Sequence, residues 1–213
     1  MIKYILFLVL LIPGLIQGST YRENNSNINT STASSARDTI KDDSEKFPPT
    51  EYLLKNGKSF IILQSPESDY LVDVRVIGKG FTDSQDTIFF EEIENIDTVI
   101  IADLNNDGYE ELYIFTKGFF PGAYDHVFGV ASDEDKSYKE INFTNMLPDD
   151  ITEGGIFYGY QGQDVYTLEN NRIKRTFPLY RAGDFYDNPS GGYRTLYYTI
   201  VKTEKGFYFV YAK

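Results

Sequence analysis

Apolar and polar residues alternate in short segments along most of the chain. In one of them, Val72, Val74 and Val76 are separated by Asp73 and Arg75. Successive side chains of a strand point to opposite faces, so this segment would turn one apolar face to a core and one polar face to water. The pattern therefore predicts a β-strand that is buried on one side.

A continuous apolar run, followed by a turn and a second alternating segment, predicts a hairpin. Residues 99–102 are all apolar, and the sequence Asn-Asp-Gly at 106–108 favours a tight reversal. Leu112 and Ile114 then resume the alternation. We expect these two segments to pair as antiparallel strands near the centre of a sheet.

The rest of the chain after residue 48 shows the same pattern of short apolar segments separated by turn residues. Further strands are predicted at 88–93, 126–131, 164–168, 193–202 and 207–211, and one short helical turn at 144–150. No segment has a long helical period, and no fixed repeat indicates a propeller or a solenoid. The 18 Tyr and 16 Phe also favour half-buried sheet surfaces. The expected fold is an all-β, antiparallel, sandwich-like single domain over 49–213.

The beginning of the chain has the pattern of an export signal. Lys3 precedes an unbroken apolar run at 5–12, and a Pro-Gly pair at 13–14 interrupts it. The run is shorter than the roughly 20 residues that a membrane-spanning helix needs. We predict a signal peptide over 1–18 and a periplasmic or secreted protein, without stable membrane insertion once the signal is removed. A retained membrane anchor is the alternative.

Residues 19–48 are polar and carry almost no large apolar side chain, which predicts a disordered linker. The chain also contains no cysteine. This excludes disulfide bonds, thiolate metal sites, thiol catalysis and a lipid anchor on cysteine.

The formal net charge of −12 narrows the range of partners. An acidic surface repels nucleic acid, whose phosphates require basic contacts. It attracts basic proteins and metal cations, and it increases their rate of encounter. Solubility alone is the alternative explanation of the charge.

The turn between the two central segments has the spacing of a calcium loop. Asp103, Asn105 and Asp107 supply oxygen atoms at positions one, three and five, Gly108 permits the reversal at six, and Glu111 stands at nine. The twelfth position is apolar, so the loop is not an EF-hand; it is similar to the calcium loops between strands of FG-GAP and VCBS repeats. A structural Ca²⁺ is predicted, with an ordinary hairpin turn as the alternative.

Motifs for catalysis are missing from the sequence. The only histidine, His126, has no nucleophile motif or second histidine beside it. Carboxylates are abundant, but their positions in the sequence do not indicate a pair of the kind that glycosidases use. Only the folded chain could show whether two of them share a cleft. We therefore predict that the protein is not an enzyme. The alternative is a hydrolase that uses a pair of carboxylates in one cleft.

Two loop segments have the composition of recognition surfaces. In the first, 119–124, aromatic residues surround Pro121, Gly122 and Ala123 and the loop ends at Tyr124. Exposed aromatic side chains on a stiff turn are good binding anchors. The alternative is a loop folded back onto the core. In the second segment, 180–194, Arg194 could pair with Asp184 as an internal brace.

Five ordered motifs between about residues 97 and 198 together resemble a known family. They are the Asp103 to Glu111 hairpin, Gly122-x-Tyr124, Gly159-x-x-Gly162-x-Asp164, Arg175-x-Phe177-Pro178-x-Tyr180, and Gly183-Asp184 to Arg194. The family is that of the periplasmic inhibitors of invertebrate-type (I-type) lysozyme.

The resemblance implies a β-sandwich that inserts one loop into the active site of a lysozyme. In the family this loop looks like Ser-Gly-x-Tyr, whose hydroxyls can bond to the catalytic carboxylates. Here Gly122 and Tyr124 match, whereas Pro121 replaces the first serine and Ala123 stands where a second serine is common. These four residues and Arg194 are the predicted partner-binding residues. The expected partner is a lysozyme or another basic exported protein; the alternative function is a calcium-binding interaction module of the cell envelope without inhibitory activity.

Overall fold

The computed structural model describes residues 47–83, 86–119 and 124–211. The chain within these ranges forms twelve β-strands and one short helix. The strands are β1 Thr50–Leu53, β2 Ser59–Pro66, β3 Leu71–Lys79, β4 Thr87–Glu94, β5 Ile96–Ala102, β6 Glu111–Thr116, β7 Val127–Asp133, β8 Ser137–Phe143, β9 Val165–Glu169, β10 Arg172–Pro178, β11 Tyr193–Thr203 and β12 Gly206–Tyr211; the helix is α1 Pro148–Ile151. The predicted all-β class is confirmed.

The first sheet is a four-stranded antiparallel meander in the order β1-β2-β3-β4. In its register, Val76 lies between Ile62 on one neighbouring strand and Ile88 on the other. Val72, Val74 and Val76 are all buried, as the alternation in the sequence predicted. One face of this sheet therefore belongs to the core.

The second sheet has eight strands in the order β5-β6-β7-β8-β12-β11-β10-β9. The predicted hairpin is present, with Ala102 opposite Glu111 across β5 and β6. Its predicted place near the centre of a sheet is wrong, because β5 is the edge strand. The apolar run of β5 instead reflects packing on both faces, with Val99 and Ile101 on one side and Ile100 and Ala102 on the other. Neighbouring strands are antiparallel except β8 and β12, which run parallel with Ile141 opposite Phe207. This parallel pair joins the β5–β8 half of the sheet to its β9–β12 half.

Strand β6 lies at the centre of the molecule because both of its faces are buried. Leu112 and Ile114 pack in one cluster with the first sheet. Tyr113 and Phe115 point the other way and pack in a second cluster with the β10–β12 strands. The β5–β8 half is therefore the middle layer, covered on one side by the first sheet and on the other by the β9–β12 half.

The predicted signal peptide and all but the last two residues of the predicted linker lie outside the described residues. The helix α1 falls in the segment where a short helical turn was predicted. Among the residues that the structure describes, no helix is both long and apolar enough to cross a membrane.

Candidate functional site

The β5–β6 turn folds its oxygen-bearing side chains onto its own backbone. The two carboxylate oxygens of Asp103 accept hydrogen bonds from the backbone nitrogens of Asp107, at 3.1 Å, and Gly108, at 2.9 Å. Asn105 Oδ1 accepts from Asp107 N, and Asp107 Oδ1 accepts from Tyr109 N, each at 2.9 Å. These bonds hold all three predicted ligand side chains around one small loop.

Glu111, the fourth predicted ligand, is completely buried at the start of β6. Its Oε2 accepts hydrogen bonds from Leu104 N at 3.0 Å and from the Tyr113 hydroxyl at 2.8 Å. Its Oε1 is buried without a hydrogen-bond partner among the described residues. One carboxylate oxygen each from Asp103, Asp107 and Glu111 lie within 4.8 Å of one another.

The buried position of Glu111 and its acidic neighbours change the pKa of its carboxyl group. Burial raises the pKa of Glu111 to about 7, and the neighbouring charges of Asp107 and Asp103 add to the increase. The hydrogen bonds from Leu104 and Tyr113 oppose it. A carboxylate is thus held in a site where its negative charge lacks full compensation.

At the far end of β6, a buried aspartate holds the base of the loop that follows. Asp125 accepts hydrogen bonds from Lys117 Nζ at 2.9 Å and from Gly118 N at 3.2 Å. Its backbone nitrogen donates to the carbonyl of Asp164 at 3.0 Å. The loop is therefore closed at its base and attached to the segment before β9.

Tyr124 stands at the end of this loop with 39% of its surface exposed. Its ring covers Gly162, where an added Cβ would lie 1.8 Å from Tyr124 Cε1. The Tyr124 hydroxyl shares a hydrogen bond with Tyr186, which raises the pKa of Tyr186 to about 12. The predicted loop residues Pro121, Gly122 and Ala123 lie outside the described residues.

A buried arginine attaches the segment before β9 to the sheet. Arg175 on β10 donates from Nε to Asp164 Oδ1 at 2.6 Å and from its terminal nitrogens to the hydroxyls of Tyr160 and Tyr198. The guanidinium lies 5.0 to 5.6 Å from the centres of four aromatic rings, those of Phe157, Tyr160, Tyr166 and Phe177. Arg175 and Asp164 belong to two of the sequence motifs, but their ion pair was not predicted.

Arg194, a predicted partner-binding residue, is used within the fold. Its Nη1 donates to the carbonyl oxygens of Gly155, at 2.9 Å, and Ile156. Asp184 instead accepts hydrogen bonds from the backbone nitrogens of Arg181 and Ser190, at 2.7 and 2.8 Å. No ion pair joins Arg194 to Asp184 in the described part of the chain, so the predicted brace is replaced by contacts of Arg194 with 155–156.

These contacts bring three parts of the chain together: residues 117–119 with 124–126, residues 152–164, and residues 179–193. We call five of their exposed aromatic side chains the aromatic loop cluster: Tyr124, Tyr158, Phe185, Tyr186 and Tyr193. Phe119 is also exposed, but its ring packs against Tyr70. The buried Tyr180 supports this cluster, since its ring stacks on Tyr186 and its hydroxyl donates to the Tyr186 carbonyl. Of these five residues, only Tyr124 was predicted to bind a partner. Segments 152–164 and 179–193 are rich in tyrosine and glycine, and this composition could have indicated the other aromatic residues of the cluster.

Four of the five motifs behind the family resemblance meet at this end of the molecule. Gly162 underlies Tyr124, the Gly159 carbonyl accepts a hydrogen bond from Tyr180 N at 2.7 Å, and Asp164 pairs with Arg175. The fifth motif, the Asp103 to Glu111 turn, lies at the opposite end of β6.

Comparison of the chain with protein families, with curated proteins and with solved structures finds no match.

Proposed function

We propose that this protein is an exported binding protein without catalytic activity, and that it inhibits an I-type lysozyme by inserting the loop that ends at Tyr124 into the enzyme's active site. The observation that carries the proposal is the state of Tyr124. Its ring is exposed, yet the Gly162 contact and the Tyr186 hydrogen bond hold it in place.

A side chain that is already positioned loses little conformational entropy when a partner binds. Tyr124 is therefore suited to be an anchor. Its phenol can donate a hydrogen bond, and the catalytic residues of glycosidases are carboxylates that can accept one. Insertion of Tyr124 would occupy those carboxylates and displace the substrate.

The surroundings of Tyr124 fit a protein partner. The aromatic loop cluster offers several large exposed rings on the segments attached to the Tyr124 loop, and aromatic residues supply much of the energy of protein interfaces. The net charge of −12 would accelerate association with a basic enzyme.

The proposal is tested by adding the purified chain to a cell-wall lysis assay with an I-type lysozyme. We expect inhibition at a stoichiometric ratio. Tyr124→Ala should weaken the inhibition constant by about 30-fold, because loss of an interface anchor costs about 2 kcal/mol. Tyr124→Phe should weaken it by about 10-fold, because a hydrogen bond to a charged group is lost. Gly162→Ala keeps the hydroxyl but displaces the ring, and should also weaken inhibition.

Phe89→Ala provides the matched control. Phe89 is an exposed aromatic residue, 58% accessible, on β4 of the first sheet and outside the aromatic loop cluster. Its removal should leave inhibition unchanged. The proposal fails if a molar excess of the chain leaves lysis unaffected, or if Phe89→Ala weakens inhibition as much as Tyr124→Ala. Binding to the lysozyme without slower lysis would instead identify an interaction module.

A further inference from the structure

We propose that the β5–β6 turn binds one calcium ion through Asp103, Asn105, Asp107 and Glu111, and that the ion stabilises the junction where three parts of the fold meet. This inference goes beyond the inhibitor function and does not depend on it. It rests on the contacts of the turn itself.

One oxygen of the Glu111 carboxylate indicates a cation site. The carboxylate is completely buried, and Oε1 has no hydrogen-bond partner in the described residues. A buried charged oxygen without a partner is costly, and folded proteins rarely leave one so. The same carboxylate has an oxygen within 4.8 Å of oxygens of Asp103 and Asp107. A cation at this position would satisfy Glu111 and compensate all three charges.

The chemistry of the donor atoms selects the kind of cation. All four side chains offer oxygen, which hard cations prefer, whereas Zn²⁺ favours nitrogen and sulfur. The chain has no cysteine, and its only histidine, His126, lies at the other end of β6, where its carbonyl accepts a hydrogen bond from Thr116 N. Mg²⁺ requires a strict octahedron and releases its water reluctantly, while Ca²⁺ accepts irregular loops of this spacing. The donor set therefore favours calcium.

The β5–β6 turn contacts other parts of the fold. The carboxylate of Glu110 accepts hydrogen bonds from Lys55 N at 2.6 Å and forms an ion pair with Lys55 Nζ at 2.9 Å, which connects the turn to the first sheet. The Asp103 carbonyl accepts a hydrogen bond from Asn171 Nδ2 at 3.1 Å, which connects it to the turn between β9 and β10. An ion that makes this loop rigid would therefore stabilise contacts with both halves of the second sheet and with the first sheet.

The test starts from the purified chain treated with a chelator and then dialysed. Titration with CaCl₂ in a calorimeter should give one ion per chain, with a Kd of about 0.1–1 mM or tighter, as in other extracellular calcium modules. At about a hundredfold excess over Kd, Ca²⁺ should raise the melting temperature by about 5–10 °C. MgCl₂ should have a clearly smaller effect.

Two substitutions address the ligands. Asp107→Asn and Glu111→Gln should each reduce the affinity for Ca²⁺ at least tenfold, because each removes a charged ligand. Glu111→Gln preserves the size of the side chain and removes the buried charge, so its melting temperature without calcium should not fall. Asp135→Asn is the matched control. It removes an aspartate that accepts a hydrogen bond from Ser132 Oγ at the turn after β7, and its calcium response should equal that of the unmodified chain.

Three results would overturn the inference. The first is that about 10 mM CaCl₂ gives neither binding heat in the calorimeter nor a change in melting temperature. The second is that Asp107→Asn binds Ca²⁺ as the unmodified chain does. The third is that Mg²⁺ and Ca²⁺ raise the melting temperature equally. Tyr124→Ala should keep its calcium response, since Tyr124 lies at the other end of β6. Failure of the inhibitor proposal can therefore be told apart from failure of this one.

Discussion

Arg175 illustrates how one residue positions a distant loop. Only 6% of its surface is exposed, and its guanidinium bonds to Asp164 and to two tyrosine hydroxyls within a group of aromatic rings. Asp164 is equally buried. Both charges are almost completely removed from water, so each depends on the other for compensation.

Replacement of Arg175 by methionine should therefore be strongly destabilising. We expect Arg175→Met to lower the free energy of unfolding by about 3–5 kcal/mol, because it leaves the Asp164 carboxylate buried without its partner. Urea denaturation measures the change. Arg172→Met, on the same strand, is the control. Arg172 stacks on Tyr197 and forms no ion pair among the described residues, so its loss should cost less than about 1 kcal/mol. Equal costs for the two variants would contradict the role given to the ion pair.

At the scale of residues, the sequence predicted what lies close together along the chain. Asp103, Asp107 and Glu111 were grouped correctly because they belong to one turn. The pair of Asp164 and Arg175 was not predicted, because the register between β9 and β10 decides which side chains meet. Arg194 was assigned to a partner or to Asp184, although its donors reach carbonyl groups of another loop, which no spacing in the sequence reveals.

At the scale of elements, alternation identified strands with one apolar face and missed strands with mixed faces. β8 was missed because Tyr138 and Ile141 are three residues apart and enter different cores, so no period of two is visible. In β10, the inward positions are Ile173, Arg175 and Phe177, and a charged residue in their middle conceals the pattern. The strands β1 and β2 were also not predicted.

The β7–β8 turn is joined to β11 by charges that respond to pH. Lys202 Nζ lies 2.7 Å from Asp133 Oδ1 and 3.3 Å from Glu134 Oε1. The hydrogen bond from Lys202 lowers the pKa of Asp133, and bonds from Lys136 and then Lys202 lower that of Glu134. A carboxylate whose pKa is lower in the folded state contributes stability above its unfolded pKa, and this is lost as the pH falls through the folded pKa.

Lys202→Met should therefore destabilise the protein at neutral pH, and the difference from the unmodified chain should shrink below about pH 4 and vanish near pH 2. Unfolding in urea at several pH values measures this. Lys205→Met is the control, since Lys205 forms no ion pair within the described residues. A difference for Lys202→Met that persists at acid pH would show that packing of the lysine chain, and not its charge, is responsible.

At the scale of the whole molecule, β6 makes the two cores interdependent. Ile114 packs with the first sheet, while its neighbours Tyr113 and Phe115 pack with the β10–β12 strands. Loss of either core would expose one face of the same strand. The two sheets are thus expected to unfold together.

Truncation in each core tests this cooperativity. Ile114→Ala in the first core and Ile173→Ala in the second should each lower the free energy of unfolding by about 2–5 kcal/mol. Both variants should retain one transition that is identical by near-ultraviolet and far-ultraviolet circular dichroism. Separate transitions for the two signals would show that the layers unfold independently.

The parallel pairing of β8 with β12 has a consequence for the speed of folding. Ile141 and Phe207 meet across a separation of 66 residues, whereas most other neighbouring strands are consecutive hairpins. Closing so long a loop loses chain entropy before any contact compensates for it, and proteins rich in such distant pairings fold slowly. Hairpins should therefore form first on either side, and the joining of β8 to β12 should be the late event that completes the native state.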